Sequence, residues 1–531
     1  MNRATCSPTR LWATLRRMVA LLGVSVLFVG APTASVHAED PKPEKADAAG
    51  DTLSTSDAEA ADPAAECNRE AEGIRKIYRT IPKDFRNPSE PISKITERVV
   101  ECKARLERFI EGCAAHLKGN EDVYSMLSRM VVALSAHERQ AMRDAKIDRT
   151  IIRAHMKEYY GHMITLSDKF REIAPKDHPL QAHVWRQTGD GHYYRQNWDQ
   201  AIACYKKINS DYPKYAELGL VHLGLLRCYV NAQNTRDGIP FARKLIKEHY
   251  QRSDLPHYYE LLWKLQTIAG NLEGLLALTQ EVDRIFPLRS IRKGAKPREK
   301  DAYKRYLGYN GFRKGYCHFA LGSTGEALDA FVKHVDELDK LREKLERQGQ
   351  AFPPELDVYR KRSSSNVRFL QNRQGEIPKT GLENIVWAVG EPISFAQAQT
   401  KPIAIIFRNV GETRSSHFLK KMDAYAGEHP DLFQLFVLSF TRRTGANANP
   451  QEDADEAIQD AAELGLQHTS IGIDPDSRTE EPDVFQACQA LIGSATFVVV
   501  DRTGRMRWWQ QDPRDIDFHF STAVLGRIAL E

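Results

Sequence analysis

Four stretches between about residues 180 and 345 repeat one pattern of small and bulky side chains. That repetition narrows the architectures open to this 531-residue chain more than any other feature. In VWRQTGDGHYYRQNWDQAIACYKKINSDYP the pattern is carried by Trp185, Gly189, His192, Trp198, Ala201, Tyr205 and Pro213. Gly315, Gly322, Ala327 and Phe331 take the corresponding places in KGYCHFALGSTGEALDAF, and Tyr259, Trp263, Gly270, Leu272, Leu275 and Pro287 form a further copy. A weaker copy surrounds Leu220, Gly224 and Arg227. Units of this size cannot bury their apolar faces singly, and about three must stack to make a continuous core. Four satisfy that condition.

The spacings resemble the tetratricopeptide motif, which places a small residue in each of two packed helices, large residues around it and a proline after the second helix. The resemblance implies an all-α stack whose concave surface is lined by the first helix of each unit, where peptides dock. Arg186, Tyr193, Arg227 and Arg313 are the candidate binding positions on that surface. Folding back near Pro213 brings Cys204 and Cys228 face to face, either as a disulfide or as two packed thiols. Residues 288–305 hold eight bases and two acids and are expected as an exposed loop, either solvated or a site for an acidic partner.

Ahead of the repeats, residues 1–38 combine a basic start, an apolar run from Met18 to Val29 and small residues ending at Val36-His37-Ala38. The run is short for a bilayer span, so the segment reads as a secretory signal cleaved after Ala38, with no transmembrane helix left afterwards. The periplasm of a bacterium or the cell exterior is then the expected location. Removing its four arginines from 75 bases leaves 71 against 71 acids, so net charge offers no argument for nucleic-acid binding. Residues 39–66, with nine acids, two lysines and no aromatic residue, are expected as a disordered acidic linker.

A helical domain is expected over 67–175. Ile92, Ile95, Val99, Cys102, Leu106, Phe109, Cys113 and Leu117 recur at spacings of mostly three and four, and Cys67, Ile74, Ile77 and Ile81 form a matching stripe. Folding these two stripes together allows a Cys67–Cys102 disulfide or buried free cysteines. Repeats over 176–348 and a helical linker over 349–381 follow.

From about Leu382 the hydrophobic period changes. Apolar runs at Pro402 to Phe407, Leu432 to Phe440, Ser470 to Ile473 and Ala495 to Val500 alternate with helical segments, and Asp501-Arg502-Thr503-Gly504 closes a hairpin. The α/β domain over 382–531 resembles the thioredoxin-like reductases and peroxiredoxins, above all in KPIAIIF, GLQHTSIGIDPDS and GSATFVVVDRTGRMRW. That resemblance implies a nucleophilic thiolate at the N-terminus of the helix after the first of these strands, with a second cysteine nearby. Glu412 and Ser415 stand at those positions in the reductase register, while Asn409, Thr413 and Ser416 replace the peroxidatic loop. Ser494 or Ala495 replaces the expected cis-proline. Cys488, on a segment read as helix, is the one thiol in the domain.

The fold class expected is therefore multidomain: an all-α, tetratricopeptide-like repeat region followed by an α/β thioredoxin-like domain. The function expected is that of an exported protein- or peptide-binding scaffold, with a partner in the cell envelope, no catalytic residue, no cofactor and no metal. The alternative is an exported thiol-disulfide oxidoreductase or peroxidase that uses Cys488 or the cysteines of the helical region.

Overall fold

The computed structural model describes residues 62–84, 105, 109–113, 139–140, 142–143, 147, 149–248, 255–285, 297–372, 385–390, 392, 400–409, 411–440, 449–474, 495–511, 513 and 518–531. Helix α1 (Pro63–Asp84) starts where Asp62 accepts from the Ala64 N–H at 3.0 Å and Pro63 fills the first position. Helix thus begins inside the stretch read as linker.

A short π-type turn, Phe109–Cys113, interrupts the expected α-helical stripe, and Cys113 bonds to Cys67 across Cα atoms 5.3 Å apart. The expected Cys67–Cys102 pairing is corrected. Cys102 lies outside the described residues, and because it shares one apolar stripe with Cys113, periodicity could not choose between them. Glu70 and Arg105 pair at 3.0 Å across the same two segments. Helix α2 (Arg149–Ile173) completes what is described of this region.

Among the described residues eight helices then follow, taken two by two along the chain: α3 (Gln181–Tyr194) and α4 (Trp198–Asp211), α5 (Leu218–Asn231) and α6 (Thr235–Glu248), α7 (Leu255–Ile268) and α8 (Leu272–Ile285), and α9 (Pro297–Ala320) and α10 (Thr324–Arg347). Helix α9 begins at Pro297, so the basic stretch expected as a loop over 288–305 is helical in its second half. Helix α11 (Pro354–Asn372) follows.

One turn joins the two members of every pair. Its central residue is left-handed each time: Gln196 at φ 68°, Gln233 at 54°, Gly270 at 66° and Gly322 at 79°. The next residue sends its N–H back into the first helix in every copy, from Asn197 to His192, Asn234 to Tyr229, Asn271 to Gln266 and Ser323 to His318, at 2.9–3.1 Å. This closure satisfies the helix's last carbonyls and sets the angle at which the second helix leaves. Glycine adopts that conformation freely, whereas glutamine pays roughly 1 kcal/mol for it.

By compactness the chain divides into two units, residues 1–228 and 229–531, so the border falls among the helix pairs instead of ahead of the sheet. In the first unit, Gly189 and Gly224 both face the ring of Tyr205, and a Cβ at either would lie within 2.8 Å of it. The small residues of the repeat are therefore the clearance for one buried tyrosine.

The second unit holds a six-stranded sheet ordered β1-β4-β3-β2-β5-β6. Its strands are β1 (Val386–Val389), β2 (Ile403–Asn409), β3 (Gln434–Phe440), β4 (Ser470–Asp474), β5 (Thr496–Val500) and β6 (Met506–Gln511). Strands β2, β3 and β4 run parallel, while β5, β6 and β1 pair antiparallel. Ile403 to Phe407 are buried on both faces, which explains why β2 reads as an unbroken apolar run. Helices α12 (Ser416–Glu428), α13 (Pro450–Leu464) and α14 (Phe518–Leu530) belong to the same region. Phe418 of α12 meets Phe497 edge-on at 5.4 Å, and Ser521 of α14 donates to Gln510 at 3.0 Å. Phe369 of α11 stacks on Trp509, which points from β6 to the opposite face.

Replacing Gln196 or Gln233 by Gly should stabilise the protein by roughly 0.5–1 kcal/mol, and Gly322→Ala should destabilise it by about 1–2 kcal/mol, read from denaturant midpoints. Peptide mapping without reduction should recover the 67–113 link. Removing it with Cys67→Ser and Cys113→Ser should cost about 4 kcal/mol in the chain-entropy picture.

Candidate functional site

At the C-terminal end of β2 the chain turns through Gly411, at φ 70°, and enters α12. Ligands of α/β sheets gather at this end of the strands, and a helix N-terminus exposes unpaired N–H groups there. In this protein a side chain of the turn itself meets the N–H groups just ahead of that helix. The Glu412 carboxylate accepts from the Arg414 N–H, from the Ser415 N–H at 3.1 Å and from the Ser415 hydroxyl. Ser416 donates its hydroxyl to the Glu412 carbonyl at 3.0 Å.

Ser415 is fully buried, and its proton is already committed to a carboxylate. While Glu412 holds this position the hydroxyl is closed to solvent, and no thiolate stands here to attack a substrate. Glu412, Thr413, Ser415 and Ser416 are thus brought together in one turn, with Thr413 exposed. Their bonds close the turn that leads into α12, while the helix's own N-cap residue, Ser415, makes no side-chain cap bond.

Beneath this turn lies Arg408, which sequence reasoning missed although a charged residue at the end of an apolar strand was its visible signal. Its side chain is 2 % exposed. It donates to the Glu412 carbonyl and pairs with Asp460 of α13 at 3.3 Å, while its Nε and Nη1 find no partner among the described residues. Burial pushes the guanidinium below its ordinary pKa, and the charges of Asp460 and Glu412 oppose that shift.

The repeat positions behave differently from one another. Arg186 pairs with Asp190 at 2.8 Å and Glu217 at 3.3 Å, and Tyr205 donates to the same Asp190 at 2.6 Å. Burial raises the Asp190 carboxyl above its usual range despite Arg186 and the Tyr205 bond. Arg313 pairs with Glu260 at 2.7 Å and lies 4.5 Å from the centre of the Trp263 ring. Tyr193 packs edge-on against Tyr194 and Trp198. Arg227 is exposed. Two of the four expected docking residues, Arg186 and Arg313, are thus ion-paired within their own unit. The Arg186–Asp190 spacing of four was readable on a helix, whereas Glu260 and Arg313, 53 residues apart, were not.

In the second unit an open groove of about 600 Å³ runs between the turn at Gly270, α12 and α14. Lys421, Tyr425 and Glu428 line one wall and Phe518, His519 and Thr522 another. The Lys421 ammonium lies 5.5 Å from the Phe518 ring centre.

Cys204, Cys228 and Cys317 are free and buried, so the first two are packed thiols and not a disulfide. Burial pushes Cys204 up to about 11 and Cys228 up to about 12, and raises Cys317 as well. Cys488 and Ser494 lie outside the described residues. Among the described residues no cluster of three or more His, Cys, Asp or Glu side chains is placed to hold a metal ion, and no helix is long and apolar enough to cross a membrane.

Comparison of the chain with protein-family models and with curated proteins finds no match in either.

At pH 8 the thiolate fractions of Cys204 and Cys228 should be about a thousandth and a ten-thousandth. Both should resist an aromatic disulfide reagent in the native protein and react at once in denaturant. Mass mapping of the labelled peptides checks this.

Proposed function

We propose that the protein is an exported scaffold for binding other proteins or peptides, built from tetratricopeptide-like helix pairs and a thioredoxin-like domain that has lost its redox chemistry. One observation carries the reading. Where a thioredoxin-like enzyme needs a thiolate, the Glu412 carboxylate occupies the turn ahead of α12 and Ser415 is buried beneath it. Thiol exchange and peroxide reduction both begin with a sulfur anion at this place. The donors that would stabilise that anion are spent here on a carboxylate.

The order of strands supports the domain reading. A parallel β2-β3-β4 core with intervening helices, followed by the antiparallel β5-β6 hairpin, has the alternation the sequence resemblance implies. The common turn of the four helix pairs supports the repeat reading, because one closure used four times gives successive pairs the same internal geometry. Export rests on the signal-like residues 1–38, and the envelope partner follows from it. The scaffold needs no cofactor.

The described free thiols weaken the enzymatic alternative, since burial keeps Cys204, Cys228 and Cys317 protonated. The purified mature chain should show no turnover of hydrogen peroxide with dithiothreitol and no reduction of a dithiol-linked peptide substrate above the buffer rate. Turnover in the wild type that disappears in Cys488→Ser would replace this proposal with the oxidoreductase reading.

A further inference from the structure

We propose that the turn between β2 and α12 is a receptor for the C-terminal carboxylate of a peptide, and that Glu412 is the internal group that holds the place until such a ligand arrives. The inference rests on the scaffold reading and gives it a specific site and ligand chemistry.

The receptor's selectivity follows from its donors. Two consecutive backbone N–H groups, from Arg414 and Ser415, and the Ser415 hydroxyl converge on the two oxygens of one carboxylate. That is a planar, singly charged acceptor's geometry, and backbone capture of a chain terminus by such a nest is a recurring mode of peptide recognition. The first turn of α12 adds its dipole to the attraction.

Arg408 is the independent observation. A guanidinium whose side chain is 2 % exposed, with Nε and Nη1 lacking partners among the described residues, is a buried cation with unused donors. Leaving such donors unmet is costly. Arg408 is held directly against the turn through its bond to the Glu412 carbonyl, so a carboxylate entering there lies beside it. Asp460 also faces Arg408, at 3.3 Å, and does not oppose the exchange: one carboxylate enters as another leaves, and the local charge is unchanged. Glu412 is half-buried and sits in a turn beside a left-handed glycine, so its side chain can swing into water.

The test uses the full mature chain and two fluorescein-labelled peptide libraries with four randomised C-terminal residues, one ending in a free carboxylate and the other in an amide. Fluorescence anisotropy should show the acid library binding at least tenfold more tightly than the amide library. Acetate should compete in the millimolar range, and inorganic phosphate at the same concentration should compete less. Glu412→Gln, which removes the resident charge, should tighten binding of the acid library several-fold; Arg408→Met should weaken it tenfold or more. Should Arg408→Met fail to fold, Glu412→Gln and the acid-amide comparison still decide the matter. Equal binding of both libraries with no effect of Glu412→Gln would overturn the receptor while leaving the scaffold reading standing, and so would binding of neither library. Peroxide or disulfide turnover by the same preparation is the separate result that removes the scaffold reading.

Discussion

The second unit depends on an aromatic join between β6 and the helices that precede the sheet. Trp508 stacks against Phe319 of α9 at 5.0 Å, meets Tyr316 edge-on at 5.0 Å and lies 5.6 Å from Phe520 of α14. Its neighbour Trp509 points to the opposite face and stacks on Phe369 of α11 at 5.2 Å. Each such pair contributes about 0.5–1.5 kcal/mol beyond the apolar area it buries. Phe319 and Phe369, the rings on which the two tryptophans stack, lie 5.9 Å apart, so α9 and α11 close together over this edge strand. The helix pairs after residue 229 and the sheet therefore share one core, which includes Leu275, Phe312, Phe331, Ile405 and Val498. The hydrophobic period changes between these helices and the sheet, since period reports local structure and not what an element packs against.

The same separation of local from distant causes governs the charged groups. Asp501 anchors the β5-β6 hairpin by accepting from the Thr503 and Arg505 N–H groups at 2.9 and 3.0 Å. Burial would raise its carboxyl, but these bonds and Arg507 outweigh burial and hold it below the ordinary value. Its contribution to stability is present above the unfolded carboxyl's pKa and is lost as pH falls through the folded one. Asp423 does comparable work over a longer range. From α12 it accepts from the Gln467 and His468 N–H groups and the Thr469 hydroxyl, fixing the entry into β4. Asp501 is visible in the sequence as the start of the hairpin turn, whereas Asp423 reads as an ordinary polar residue, and both are structural.

At the mouth of the sheet these two kinds of cause meet. The bonds that Glu412 makes in the turn are local, formed within three residues of chain, and a glutamate three positions before a serine is a visible hint of them. Arg408 and Asp460 stand 52 residues apart and converge only because α13 packs against the sheet that holds β2. The repeat surface has the same character. Arg186 and Arg313 look like docking residues from their spacing, yet carboxylates from the same helix or a neighbouring one already engage them.

By itself the sequence determined a helical region followed by an α/β region, the apolar strands β2 to β5 with the hairpin after β5, and the absence of sulfur from the β2–α12 turn. All of these follow from periodicity, glycine and residue identity over short spans. It also narrowed the partner of Cys67 to one stripe carrying Cys102 and Cys113. Only the tertiary structure decided that Cys113 takes that place, that Tyr205 needs both Gly189 and Gly224, that Trp508 and Trp509 join helices to sheet, and that a buried arginine lies under an internal carboxylate. The physical reason is that burial and charge pairing act between elements far apart in the chain. Their energies depend on which surfaces meet, and nothing in the local order of residues specifies that.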